Sequence, residues 1–291
     1  MNPTITIDKQ VIEITHPDKI IFPDDQITKE GMITYYQKIA PYFIPHATNR
    51  CMVMRRYPEG ITHEGFFQKE VPDYFPSWIK RAEISLKSGG DQRLVVIKKA
   101  ADLVYLANQG VLEFHTWLSP ITKPHYPNKI VFDLDPDGND LTQLHMIARA
   151  LQEILEGYGL IPFLMTTGSR GYHIVAPIKP THSFDVIHEF TKNIAVQLAH
   201  EFPKICTTEM SLSERKKRIF IDYLRNSYGQ TSVAPYSLRA RNGAPIATPL
   251  VWKELSASTP QKYHLGNIFR RLAATEDPWK NFEKSARILK I

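Results

Sequence analysis

Hydrophobic and polar positions alternate over residues 4–14 (TITIDKQVIEI), and this period of two predicts a strand. The spacing then changes. Residues 28–43 (TKEGMITYYQKIAPYF) predict a helix, with Thr28 as N-cap and Pro41 near its end. Residues 93–100 (RLVVIKKA) and 129–135 (KIVFDLD) predict strands. Over residues 140–157, Leu144, Ala148, Leu151 and Leu155 share one helical face. A strand at 160–166, a polar turn at 167–171 and a strand at 172–177 follow. The helix expected at 183–201 has Ile187, Phe190, Ile194 and Leu198 as its inner stripe, 218–224 predicts another strand, and 264–286 a further helix. Residues 85–93 are expected to form a loop. This mixture implies an α+β (mixed α/β) fold with at least one substantial sheet.

The chain has 291 residues, 43% of them hydrophobic and 23% charged, which excludes a disordered or collagen-like chain. The organisation expected is one domain over residues 1–291, with an N-terminal lobe over about 1–126 and a βα-rich core over about 127–291. Lys and Arg outnumber Asp and Glu by 36 to 30, a net +6, which suits an anionic partner without choosing one. Cys51 and Cys206 form no CxxC or His/Cys cluster, so two reduced thiols are expected rather than zinc or a disulfide framework. No apolar run approaches eighteen residues and no signal peptide precedes the first strand, so a cytoplasmic location without a membrane partner is expected.

The sharpest chemical feature is Ile130-Val131-Phe132-Asp133-Leu134-Asp135. Alternation puts Asp133 and Asp135 on one face, where two carboxylates repel unless a cation lies between them. Magnesium or manganese takes such oxygen ligands. The same letters also suit an Asp-rich turn. In RIFIDYL a third acid, Asp222, sits on a strand among apolar residues and needs either a salt bridge or a shared metal. The turn Thr167-Gly168-Ser169-Arg170-Gly171, followed by His173, offers donors for a phosphate and is equally an ordinary hairpin loop. Arg239 and Arg241 present two guanidinium groups on one face if extended, a pattern suited to phosphate and also common in a basic loop.

In this order, VFDLDPD, TTGSRGYHIVAPI and RIFIDYLRNSYGQTSVAPYSLRARNGAPIATPLVW resemble the polymerase domain of bacterial ATP-dependent DNA ligase D, of the archaeo-eukaryotic primase superfamily. HPDKIIFPDDQITKEGMITYY, RRYPEGITHEGFFQKE and LEFHTWLS are similar to its N-terminal motifs, so the resemblance spans nearly the whole chain. It implies a primase–polymerase fold with an RRM-like sheet core and an N-terminal α/β lobe. It also implies a stand-alone unit or an excised domain, since no ligase or nuclease segment accompanies it.

The resemblance further implies primer extension at DNA gaps or double-strand-break ends in non-homologous end joining, by a two-metal mechanism favouring ribonucleotides. Asp133, Asp135 and Asp222 would hold two Mn2+ or Mg2+ ions. Ser169, Arg170, His173, Arg239 and Arg241 would bind the NTP or dNTP, with Thr231 and Ser232 in the motif nearest the ribose. Lys19 and Lys29 would grip a downstream 5′-phosphate. Arg55, Arg56, Phe66, Phe67 and His115 would contact DNA; adjacent Phe66 and Phe67 cannot both face a core, so one is expected to be exposed for stacking. The DNA would carry a gap or a 3′ overhang, and a DNA ligase and a Ku-like end-binding protein would be partners at the nucleoid. The rival classes are a manganese-dependent DxD glycosyltransferase, which has no use for the paired lysines, and a DNA-end-binding module without synthesis, which gains nothing from three acids.

Overall fold

Alternation around Asp133 produces the strand on which half of the molecule is organised. The structure, a computed structural model, describes residues 2–85, 89–138 and 140–291. These fall into two compact units: Met1–Trp117 with Val233–Ala247 and Tyr263–Arg271, and Leu118–Ser232 with Thr248–Lys262 and Leu272–Ile291.

In the first unit the alternating segment is a hairpin rather than one strand. Asp8 and Lys9 turn with positive φ, and β1 (Thr4–Ile7) pairs antiparallel with β2 (Gln10–Glu13). A second small hairpin, β3 (Ile20–Phe22) and β4 (Ile27–Thr28), leads into α1 (Lys29–Ala47). The Thr28 hydroxyl accepts from the Gly31 N–H, the cap expected. The helix runs past Pro41 and contains Pro45 as well. Burial of Met32, Tyr36, Ile39 and Phe43 holds it together where proline removes backbone donors. The unit's main sheet uses β5 (Met52–Arg56), β6 (Phe66–Gln68), β7 (Arg81–Ser85), β8 (Asp91–Val95) and β9 (Val111–Trp117), with α2 (Ala100–Asn108) against β9. Its order is β9-β5-β8-β7, and β6 pairs with β5. The expected 85–93 loop is a hairpin connection: Ser85 ends β7, Asp91 opens β8, and residues 86–88 lie outside the described residues.

The second unit contains β10 (Lys129–Asp135), α3 (Leu141–Gly157), β11 (Phe163–Thr166), β12 (Tyr172–Pro177), α4 (Phe184–Glu201), β13 (Cys206–Thr207), α5 (Leu212–Arg215) and β14 (Ile219–Asp222). A 3-10 turn at Leu224–Asn226 follows, and the chain leaves the unit along β15 (Thr231–Val233) and returns with β16 (Pro249–Leu250). The sheet order is β13-β14-β10-β12-β11-β16. Its centre, β14-β10-β12-β11 with α3 and α4 as connections, is the split βαβ arrangement implied by an RRM-like core. Asp140 caps α3 by accepting from the Gln143 N–H. The stripe Leu144, Ile147, Ala148, Leu151 and Leu155 is fully buried, as is most of the α4 stripe. α3 packs on β12, and α4 on β10 and β14. The long helix expected at 264–286 is only α6 (Ile268–Ala274) and a 3-10 turn at Glu283–Ser285, because Pro278 cannot continue a helix. Among the described residues no helix is long and apolar enough to cross a membrane. Cys51 and Cys206 are buried free thiols, and burial pushes both up to about 12.

Candidate active site

Strand pairing in the second unit sets three carboxylates and an imidazole on one sheet face. Asp133 on β10 is the cross-strand partner of His173 on β12 and of Asp222 on β14. Directly opposed residues share a face, and Asp135 follows Asp133 on the same face. Each charge is met by an arginine. Arg225, from the 3-10 turn, reaches Asp133 Oδ2 through Nη2 at 3.0 Å and Asp222 Oδ2 through Nε at 3.4 Å. Arg170 and Arg215 donate to Asp135 at 3.2 and 3.1 Å. Arg215 is itself fixed by the Met210 carbonyl and lies 4.1 Å from the centre of the Phe220 ring.

The two paired aspartates are driven apart electrostatically. Burial alone would raise Asp133, but His173 and Arg225 outweigh it and hold the carboxyl well below the usual range. Asp222 goes the other way, raised by burial and by the Asp133 charge against the pull of Arg225. His173 Nε2 is 3.4 Å from Asp133, while its buried Nδ1 has no hydrogen-bond partner among the described residues. Among the described residues no three His, Cys, Asp or Glu side chains already form a metal-holding group. The donor set nevertheless fits hard divalent cations: three carboxylates on one face, each paired with a cationic side chain.

The Gly-rich turn is built around a hydroxyl. Thr167 Oγ1 donates to the Gly171 carbonyl and accepts from the Ser169 and Gly171 N–H groups at 3.2 Å each, so those two donors are committed within the turn rather than open to a phosphate. Gly168 has φ +63°, and a Cβ on Gly171 would stand 1.7 Å from the Leu134 carbonyl oxygen, so no other residue lets the turn approach β10 this closely. Ser169 and Arg170 line a cavity of about 330 Å³ with Pro136, Asp140, Leu144 and Gln261. Thr231 presents its carbonyl to Arg225 at 3.4 Å, and Ser232 is buried.

The remaining expected site residues belong to the first unit. Lys19, Lys29 and Arg56 line one cavity of about 260 Å³ with Thr15, His16 and Asn108. Lys29 Nζ donates to the Thr15 carbonyl at 2.6 Å and hydroxyl at 2.9 Å. Burial, then Lys19 and Arg56, lower its pKa to about 8. Lys19 is held by exposed Glu59 at 2.7 Å. Both Phe66 (47% exposed) and Phe67 (56%) face solvent, not one of them, because β6 is a short strand whose two faces are each met by an arginine. Arg56 lies over Phe66 and Arg55 over Phe67, at 5.5 and 5.2 Å. His115 is buried, bonded to Glu113, with its ring edge-on to Phe67. The Arg239–Arg241 segment is not extended: Arg241 N–H bonds the Arg239 carbonyl, forming a tight turn. Arg239 meets Glu113 at 3.4 Å.

Sequence reasoning missed Arg225, Arg215 and Glu113. Arg225 stands three residues after Asp222 and Glu113 two before His115, which are the only local signals they carry.

Known proteins resemble the chain in sequence and in fold. The family model described as the LigD primase-polymerase domain matches residues 28–279. The multifunctional non-homologous end joining protein LigD of Mycolicibacterium smegmatis is 33% identical over 257 residues, 87% of this chain and 33% of that protein. The bifunctional LigD of Bacillus subtilis is 31% identical over 277 residues, 94% of this chain and 44% of that protein. The chain thus spans well under two thirds of these relatives. The polymerase domain of Mycobacterium tuberculosis ligase D, solved in complex with DNA, superposes with a TM-score of 0.87 at 29% identity, covering 94% of this chain and 99% of that one. The chain belongs to the LigD primase–polymerase domain family, a family of nucleotidyltransferases.

Proposed function

We propose that residues 1–291 serve as a single catalytic domain that extends a primer, under the direction of a DNA template, at gaps and double-strand-break ends in non-homologous end joining. The observation that carries this reading is the row of Asp133, Asp135 and Asp222 on one sheet face, compensated by arginines. Those carboxylates would hold two Mn2+ or Mg2+ ions, which supply activation of a primer 3′-hydroxyl and charge stabilisation at the α-phosphate as pyrophosphate leaves. Arg225 pairs with both Asp133 and Asp222 and, with His173, holds Asp133 ionised.

Ser169, Arg170, His173, Arg239 and Arg241 bind the nucleotide phosphates in this reading, the arginines by bidentate donation. Thr231 belongs to the motif that would meet the nucleotide, and ribonucleotides, told apart by their 2′-hydroxyl, are the favoured substrate of this reading. The Lys19–Lys29 cavity takes the downstream 5′-phosphate, and Phe66 and Phe67 stack on template bases while Arg55 and Arg56 hold them and meet backbone phosphate. A DNA ligase to seal the product and a Ku-like end-binding protein are the partners that chemistry asks for.

Primer extension on a gapped duplex, with NTPs or dNTPs and manganese or magnesium, tests the reading. Asp133→Ala and Asp222→Ala should reduce extension to background while DNA affinity stays within about twofold, since neither carboxylate contributes attraction to DNA. Synthesis retained by either variant would overturn the metal assignment. Equal activity with and without the downstream phosphate would remove the gap-recognition role of Lys19 and Lys29.

A further inference from the structure

Glu113 is the most deeply buried carboxylate of the first unit to face several cations at once, with only 3% of its side chain exposed. It lies on β9, every residue of which is buried. Its two oxygens face different neighbours. Oε1 accepts from the Ala240 N–H at 2.9 Å and meets Arg239 Nε at 3.4 Å. Oε2 meets His115 Nε2 at 3.2 Å and Arg55 Nη1 at 3.8 Å. Arg55 and His115 both touch Phe67, one over the ring face at 5.2 Å and one edge-on at 5.6 Å.

We infer that Glu113 is a positioning residue that fixes the Arg239–Arg241 turn for nucleotide phosphates through one oxygen and the Phe67 platform for the template through the other. The inference rests on the assignment of Arg239 to the nucleotide. A buried strand position normally selects an apolar side chain, and an acid there is costly unless its partners are well placed. Burial would raise the Glu113 pKa, yet Arg239 and His115 outweigh it, so the group stays ionised through the working pH range. The turn needs such a tether. A guanidinium that must meet a phosphate bidentately tolerates little rotation, and the hydrogen bond to Ala240 holds the backbone as well as the side chain.

The test compares Glu113→Gln, Arg239→Ala and the double variant by steady-state primer extension, with thermal melting of each. Glu113→Gln keeps shape and one acceptor but removes the charge. Nucleotide KM should rise about tenfold in Glu113→Gln and at least as much in Arg239→Ala, with the double variant no worse than Arg239→Ala within about twofold. kcat at saturating nucleotide should fall far less than kcat/KM. If Glu113→Gln melts far below the parent, Glu113→Asp carries the test instead: it retains the charge, so its nucleotide KM should stay within about threefold of the parent, and a KM raised as far as in Arg239→Ala would overturn the role. A wild-type nucleotide KM in Glu113→Gln beside a raised one in Arg239→Ala, or losses that simply multiply, would overturn the positioning role. An unchanged KM in Arg239→Ala would instead remove the assignment on which it stands.

Discussion

Lys29 shows how one side chain's surroundings set a measurable property. Its ammonium is almost buried at the first position of α1, where the helix dipole disfavours a cation, and Lys19 and Arg56 share its cavity. Desolvation and those two charges hold its pKa near 8, well below an ordinary lysine. On the proposed function, a bound phosphate dianion would offset the Lys19 and Arg56 charges, so its binding would favour the protonated amine. The sign follows: below about pH 8 the charge is already present, and above it each binding event must take up a proton. Preference for a 5′-phosphorylated over a 5′-hydroxyl end should therefore fall about tenfold between pH 7 and pH 9, as the protonated fraction does. Lys29→Arg, whose charge does not titrate in this range, should lose that pH dependence while keeping the preference. Fluorescence anisotropy with the two duplexes measures both, and an equal slope in Lys29→Arg would show that another group titrates.

Between residues and the sheet lies the 3-10 turn after β14, which holds β10 by a side chain. Asn226 is fully buried; its amide accepts from the Val131 N–H at 2.8 Å and donates to the Val131 and Tyr223 carbonyls at 2.7 and 2.8 Å. Asn226→Ala leaves both backbone groups of Val131 without these partners on the strand that carries Asp133 and Asp135. The expected cost is about 2–4 kcal/mol in urea unfolding, with a fall in extension rate because Arg225 sits on the same turn. A change under about 0.5 kcal/mol would show that water or rearrangement replaces the amide. None of this was legible in the chain. Periodicity located β10, α3, β12 and α4 and placed Asp133 and Asp135 together, because each of those facts is local. Which strands lie beside β10 is not local, so the pairing of Asp133 with both His173 and Asp222 came only from the fold. The family resemblance supplied the grouping that alternation could not. Neither source supplied Arg225, Arg215 or Glu113, since a charged residue near an acid reads the same in sequence whether solvated or paired. The turn of Arg239 and Arg241 went astray for a related reason: it is set by backbone bonds within residues 239–245 and by Glu113, not by an extended strand.

The net charge of +6 hides a division of labour that salt can expose. On the proposed function, exposed or cavity-lining lysines and arginines would attract DNA phosphates, whereas Arg225, Arg215 and Arg170 are paired with the three aspartates. Only phosphates met by cations release counterions, so the slope of log affinity against log salt counts those contacts rather than the formal charge. Lys19 is the informative case, because exposed Glu59 holds it when DNA is absent. That pair is exposed and contributes little to stability, so on the proposed function it would give way readily to a phosphate. Lys19→Ala should lower the magnitude of the slope by about 0.7–0.9 on 5′-phosphorylated gapped DNA, and weaken binding similarly for every sequence tested. Arg225→Ala should leave the slope unchanged while abolishing synthesis, since its partners are carboxylates and not DNA. Titrations between about 50 and 200 mM salt measure both slopes. A shallower slope in Arg225→Ala would mean that this guanidinium leaves the aspartates for the nucleic acid, and that the acidic row is compensated by metal alone once DNA is bound.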